Sequence, residues 1–337
     1  MFNNFAFLYI CRKDFVEKYS RVKNFLEVLL MKTAFLFSGQ GSQYPQMGLE
    51  LAEKYPGAAK ILECGSDIMG FDLKDKLANS TAEELAQTRL SQPAIFTVSM
   101  LALNAARENG IDNCAVAGHS LGEYAAMFAA GILTMEDAFK AIKLRSEAMA
   151  KASENSKGAM AAIIGCSNEE IEQVLSEVNG FAAPANYNSP VQTVIAGEQD
   201  AVDEAVAKFT AMGKRSVKLA VSAAFHTKLM KPAADEFRVN ISGFKFSEPD
   251  CDFYSNLYGK KLENLPDMPE YLALHICSPV RFVEELTAMQ NAGIDTFVEL
   301  GPNKVLTGLV RKTLKGVTNV NIENNETMDK ALAALKG

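Results

Sequence analysis

Short apolar runs alternate with longer stretches of helical periodicity along the chain. Residues 33–37 (Thr-Ala-Phe-Leu-Phe) and 115–117 (Ala-Val-Ala) have no polar face and are too short for helices, so they read as buried strands. Helices are expected over 48–55, 58–69 and 81–88. Gln92-Pro93 is expected to open a long one, 93–109, with the proline at a permitted first-turn position. An Ala-rich run over 121–130 stops at Gly131, and another helix is expected over 135–152.

The texture changes at Gly158. Strand 159–164, helix 168–178, strands 182–186 and 193–196, helix 199–212 and strand 216–218 follow in order. That β-α-β-β-α-β succession is a ferredoxin-like pattern, read as a subdomain spanning 157–221 and inserted into a larger unit, 31–156 plus 222–330. Beyond it come a helix over 228–239, a strand over 252–255, helices over 268–276 and 280–292, a strand over 296–300 and a helix over 305–314. Strands alternating with helices mean a largely parallel sheet covered by helices, an α/β protein. Residues 1–30 differ from the rest. They carry neither a basic leader nor a cleavage site, so they are not a signal peptide. Met31 is expected to be the natural start, with 1–30 an upstream extension; the alternative is an amphipathic helix from about residue 14 to residue 30.

Composition narrows the function. A chain of 337 residues, 48% hydrophobic and 22% charged, has the balance of an ordinary globular protein. Its net charge of -7 argues against nucleic acid as the principal partner. No stretch is long and apolar enough to span a membrane. The six cysteines are scattered with no CxxC pair, as in a cytoplasmic protein with reduced thiols. His275 and Cys277 alone make a poor metal site, and neither a metal nor a cofactor is expected. A G-x-G-x-x-G or P-loop pattern is absent. Nothing demands more than a monomer.

The chemistry gathers around Gly118-His119-Ser120-Leu121-Gly122-Glu123. A strand before it and a helix after it give Gly118-x-Ser120-x-Gly122 the context of a nucleophile elbow, a sharp turn that exposes a serine hydroxyl. A serine nucleophile needs a base. Of the three histidines, His119 adjoins the serine and would point elsewhere, whereas His226 lies in a loop before a helix and is the better candidate. No Asp or Glu stands out as a third member. The base is therefore oriented either by a backbone carbonyl or by an unlocated carboxylate. The backbone N–H groups of Leu121 and of Gln40, in the loop Gly39-Gln40-Gly41, are candidates for an oxyanion hole. Arg145 would suit a substrate carboxylate if it faces the pocket, although spacing alone favours a solvated arginine.

Taken together, several motifs resemble the malonyl-CoA:acyl carrier protein transacylase family over roughly residues 31–330. They are Gly39-Gln40-Gly41-Ser42-Gln43, Gly118-His119-Ser120-Leu121-Gly122-Glu123, Arg145, Asn186-Tyr187-Asn188-Ser189-Pro190, Phe225-His226, Ser278-Pro279-Val280-Arg281-Phe282, and Glu299-Leu300-Gly301-Pro302-Asn303-Lys304-Val305-Leu306. The resemblance implies an α/β-hydrolase-like core with a parallel sheet and an inserted ferredoxin-like subdomain. It implies that Ser120 takes the malonyl group from malonyl-CoA as an ester and that the phosphopantetheine thiol of acyl carrier protein accepts it, supplying fatty acid synthesis. His226 would be the base, Arg145 the partner of the malonyl carboxylate, and Gln40 and Leu121 the oxyanion hole. The backbone carbonyl at His275, where some relatives carry Gln, would orient the base, so the side chain there should matter little. Phe225 resembles the malonyl-selective form of the family. The family's carrier is acidic, which suggests a role for Lys304, Arg311, Lys312 and Lys315, though cations near a helix C-terminus are an equally good reading. A discrete acyltransferase for polyketide synthesis, a serine thioesterase and a non-catalytic scaffold are the rival readings.

Overall fold

The computed structural model describes residues 31–154, 157–221 and 223–336. The extension 1–30 and its possible helix lie outside the described residues. The strands are β1 (Thr33–Phe37), β2 (Ala115–Gly118), β3 (Gly158–Ile164), β4 (Ala182–Ser189), β5 (Gln192–Glu198), β6 (Arg215–Lys218), β7 (Asp252–Ser255), β8 (Lys260–Lys261), β9 (Thr296–Leu300) and β10 (Thr318–Ile322). The helices are α1 (Leu49–Lys54), α2 (Ala58–Met69), α3 (Leu73–Asn79), α4 (Ala82–Ala86), α5 (Thr88–Glu108), α6 (Gly122–Ala129), α7 (Met135–Glu154), α8 (Asn168–Ser176), α9 (Gln199–Ala211), α10 (Lys231–Asn240), α11 (Met268–Cys277), α12 (Phe282–Asn291), α13 (Val305–Thr313) and α14 (Asn325–Lys336).

Among the described residues the main sheet runs β10-β9-β1-β2-β7-β8, parallel except where β8 pairs antiparallel with β7. The central strand β1 is buried at all five positions. Its side chains alternate between faces. Phe35 and Phe37 join Val116 in the larger core, against α5, α6 and α7. Ala34 and Leu36 join Ala115 and Ala117 in a second core under α12 and α13. Helices on both faces explain why these strands carry no polar side.

The second sheet, β4-β5-β3-β6, is antiparallel and has the ferredoxin-like strand order. One face, with Ala161 and Ile163, packs on Val202 and Phe209 of α9. The other face, with Met160, Ala162, Val194 and Ala196, closes onto the larger core. The edge strand β4 is tied to the segment before α12, with Tyr187 N–H donating to Val280 O at 2.8 Å. The second sheet thus roofs the carboxyl ends of β1 and β2, the crevice where open parallel sheets place their sites.

Several boundaries depart from the periodicity. The helix expected to open at Pro93 begins at Thr88, leaving Pro93 in its interior. The flanking residues Ser91 to Leu103 are almost wholly buried, and that packing outweighs the lost proline hydrogen bond. α3, β8, β10 and α14 lie outside the elements expected from the periodicity, although α14 carries a helical stripe of Met328, Ala331 and Leu335. β10 is an edge strand only partly buried at four of its five positions, so its residues need not be apolar. At the end of β9, buried Glu299 accepts from the N–H groups of Leu306 (2.9 Å) and Thr307 (2.7 Å) and from Ser38 Oγ (3.2 Å). It caps α13 at the positive end of the helix dipole. Burial raises its pKa to about 7. Among the described residues no helix is long and apolar enough to cross a membrane.

The tightest approach in the fold is at the elbow. A Cβ on Gly122 would lie 2.1 Å from Phe37 O, and one on Gly118 would lie 2.0 Å from the Gly122 carbonyl carbon. Gly122→Ala should therefore destabilise the protein by at least about 1–3 kcal/mol, the usual cost of overpacking. The check is the urea midpoint; an unchanged midpoint would mean that β1 and α6 can separate freely.

Candidate active site

Ser120 lies between β2 and α6 with φ 53°, in the left-handed region that side chains other than glycine rarely adopt. The close packing permitted by Gly118 and Gly122 forces this turn and turns the hydroxyl out of the sheet. Ser120 Oγ is 2.7 Å from His226 Nε2. His226 also has positive φ, 61°, and its N–H donates to Ile276 O at 3.2 Å. Its Nδ1 faces two backbone carbonyl oxygens, His275 O at 3.0 Å and Ser278 O at 3.2 Å. Carbonyls only accept, so Nδ1 carries the hydrogen and Nε2 is free to accept from the serine hydroxyl. No carboxylate is needed to set this tautomer.

Arg145 projects from α7 and is 1% exposed, so it is not the solvated arginine that spacing alone favoured. Its Nη2 donates to Ser120 Oγ at 3.0 Å and its Nη1 to Gln92 Oε1 at 2.8 Å. The guanidinium carbon stands 5.5 Å from the Tyr124 ring centre. Its Nε is buried with no partner, and no described carboxylate forms an ion pair with it. Burial pushes its pKa down. An unpaired buried charge is costly, and a bound anion would relieve it. Burial first, then the charges of His275, Arg145 and His119, hold His226 well below the ordinary 6.5.

These groups open on a cleft of about 210 Å³. Gln40, Gly41 and Gln43 from the loop after β1 form one wall, and Met160, Asn186 and Leu219 of the second sheet and its exit form the other. Phe225, Val221 and Ala220 continue into an outer recess of about 360 Å³ lined by Arg89 and Glu154. Leu121 sits one residue before α6, at the helix N-terminus beside the cleft. His119 also borders the cleft, and its Nε2 lies 2.8 Å from Asn188 Oδ1 rather than at the serine hydroxyl. Among the described residues no cluster of His, Cys, Asp and Glu is placed to hold a metal ion.

Residues 34–330 match the acyl transferase domain family. A malonyl CoA-acyl carrier protein transacylase of Bacillus subtilis is 37% identical over 311 residues, 91% of this chain and 98% of that protein. The chain belongs to the malonyl-CoA:acyl carrier protein transacylase family. A transacylase of that description from Clostridium perfringens superposes with a TM-score of 0.86 at 33% identity, covering 90% of this chain and 97% of that one. A second structure shows a type II polyketide synthase acyl-carrier protein in complex with its malonyl-transacylase. It is 34% identical to this chain, with a TM-score of 0.85, and covers 90% of this chain and 99% of that one.

The fold therefore brings Ser120, His226, Arg145 and the His275 carbonyl together and sets Gln40 and Leu121 at the same cleft. Sequence reasoning passed over Gln92, which holds Arg145, because it read as a helix-opening residue. It also passed over Asn256, whose Oδ1 accepts from Ser120 N–H at 2.7 Å. Nothing local in the sequence marks it, because β7 neighbours the elbow strand only in the folded sheet. The depressed His226 makes a kinetic prediction. Only the neutral imidazole can accept the serine proton, so the reactive form persists below pH 6.5. Modification of Ser120 by a fluorophosphonate probe should be nearly flat from pH 8 to pH 6.5 and fall only at lower pH. A half-maximal rate at or above pH 6.5 would contradict the burial effect.

Proposed function

We propose that this cleft carries malonyl transfer from malonyl-CoA to acyl carrier protein through a malonyl-serine ester, supplying fatty acid synthesis. The observation that carries the reading is one oxygen with two partners. Ser120 Oγ can donate to His226 Nε2 at 2.7 Å while it accepts from Arg145 Nη2 at 3.0 Å. Ser120 Oγ attacks the thioester carbonyl as its proton passes to His226 Nε2. The tetrahedral oxyanion is held by the N–H groups of Gln40 and Leu121. The C–S bond breaks, and the CoA sulfur leaves with the proton returned by His226. The carrier's phosphopantetheine thiol then repeats the sequence: it gives its proton to His226, attacks the ester, and the serine oxygen leaves with that proton.

In this reading Arg145 turns from the serine to the free malonyl carboxylate, and Gln92 keeps it in place. A neutral-ester hydrolase would have no use for this buried cation, which weighs against the thioesterase reading. The ferredoxin-like subdomain, 157–221, forms the roof of the cleft, and 31–156 with 222–330 its catalytic half. Exposed Lys304, Arg311, Lys312 and Lys315 offer an acidic carrier a basic surface. The protein would act as a cytoplasmic monomer that binds no nucleic acid. The neighbouring polyketide transacylase complex supports a second destination for the malonyl group, a polyketide carrier.

Ser120→Ala should abolish the malonyl-protein adduct seen by intact-mass spectrometry after incubation with malonyl-CoA. Persistence of the adduct would move the nucleophile elsewhere. Arg145→Ala should lower malonyl relative to acetyl transfer by about 30- to 150-fold, from the ~2–3 kcal/mol of a charge-assisted pair. The ratio is read with radiolabelled malonyl-CoA and acetyl-CoA, and an unchanged ratio would remove Arg145 from this role. Free malonate in place of labelled carrier would favour the thioesterase.

A further inference from the structure

A buried polar cluster lies beneath the elbow, and none of its side chains lines the cleft. Asn256, fully buried, is its centre. Its Oδ1 accepts from Ser120 N–H at 2.7 Å, and its Nδ2 donates to Gly118 O at 2.6 Å, so one amide spans the elbow turn. The same Nδ2 donates to Glu285 Oε1 at 2.7 Å. Asn256 N–H in turn donates to Glu123 Oε1 at 3.0 Å. Tyr271 OH, 2.7 Å from both Glu123 Oε1 and Ser255 Oγ, completes that side. The His275 side chain enters from α11. Its Nε2 faces Asn256 Oδ1 at 3.2 Å, with Glu123 Oε2 at 3.0 Å lying off the N–H axis. Both neighbours are acceptors, so Nε2 bears the hydrogen.

We propose that Asn256, Glu123 and the His275 side chain form a positioning unit that holds the nucleophile's strained backbone and the carbonyl orienting the base in one register. The proposal rests on the assignment of Ser120 and His226 given above. The link is geometric. Asn256 grips the two peptide groups that lead into Ser120, one on each side of His119. His275 presents its carbonyl to His226 Nδ1 and its ring to Asn256 and Glu123. Displacing that ring would shift the carbonyl, and with it the imidazole 2.7 Å from the serine. The His275 side chain is then not the idle substituent that a purely backbone role implies. The Tyr271 ring lies parallel to it, with 6.4 Å between ring centres and 7° between the planes. Burial, with the Glu123 charge next, raises the pKa of the neighbouring Glu285 carboxyl well above the usual range.

The test is single-turnover acylation by malonyl-CoA, expressed per titrated Ser120. Unfolding midpoints would show how much of each variant is folded. His275→Leu should slow acylation at saturation by about 10-fold or more, as misplacement of reacting groups does, with half-saturation unchanged within about twofold. His275→Gln retains an N–H that can reach Asn256 and Glu123, and should recover most of the rate. Should His275→Leu not fold, Asn256→Ser, too short to span Ser120 N–H and Gly118 O, carries the same expectation. Unchanged saturating rates, or a Gln variant no better than the Leu variant, would overturn the proposal. Loss of the adduct in Ser120→Ala alongside unchanged rates in these variants would leave the function intact and remove only the positioning unit.

Discussion

The site depends on a backbone conformation that a serine does not choose unaided. At φ 53° the turn at Ser120 costs about 1–2 kcal/mol relative to ordinary conformations, and folding must supply that from elsewhere. Two contacts do so. Gly118 and Gly122 let β1, β2 and α6 meet at distances that no Cβ would tolerate. The Asn256 amide then occupies polar groups of the turn that would otherwise be buried without partners. The hydroxyl is left pointing away from the sheet, toward the roof formed by the second sheet.

The base obeys a similar constraint. His226 also holds a positive φ, 61°, and accommodates it by donating from N–H to Ile276 and from Nδ1 to the carbonyls of His275 and Ser278. A carboxylate at Nδ1 would favour the imidazolium and raise the pKa. Neutral carbonyls set the tautomer without that charge, while burial and Arg145 push the opposite way. The imidazole thus stays a neutral acceptor beside a permanent cation, which a Ser-His-Asp arrangement would make harder to maintain.

Much of this was legible in the chain. The buried strands 33–37 and 115–117, the elbow and the β-α-β-β-α-β insertion follow from local patterning, because the period of apolar residues reports directly on burial. The start of α5 did not, since tertiary packing overrode the signal of Pro93. β10 escaped because an edge strand need not be apolar. Arg145 shows the limit for site residues. Its neighbours in sequence describe an ordinary helix, and only the packing of α7 against α5 and the elbow turns it inward. Asn256, 136 residues from Ser120, carries no local signature at all. Residues whose function depends on long-range pairing are invisible to periodicity, and family motifs caught some of them, such as Glu123 and Glu299, but not Asn256.

The burial of Arg145 bears on why a charged acyl group is chosen. An exposed arginine would gain little from a carboxylate, because water already solvates both partners. Within the cleft the guanidinium has given up that solvation, and Ser120 Oγ, the neutral amide of Gln92 and the Tyr124 ring replace it with no carboxylate. A neutral acyl group would leave Nε unsatisfied and would also separate Nη2 from the serine oxygen once that oxygen is acylated. A carboxylate supplies two acceptors and a countercharge in the same place. Selectivity therefore comes as much from the unfavourable state with a neutral group bound as from the attraction in the favourable one.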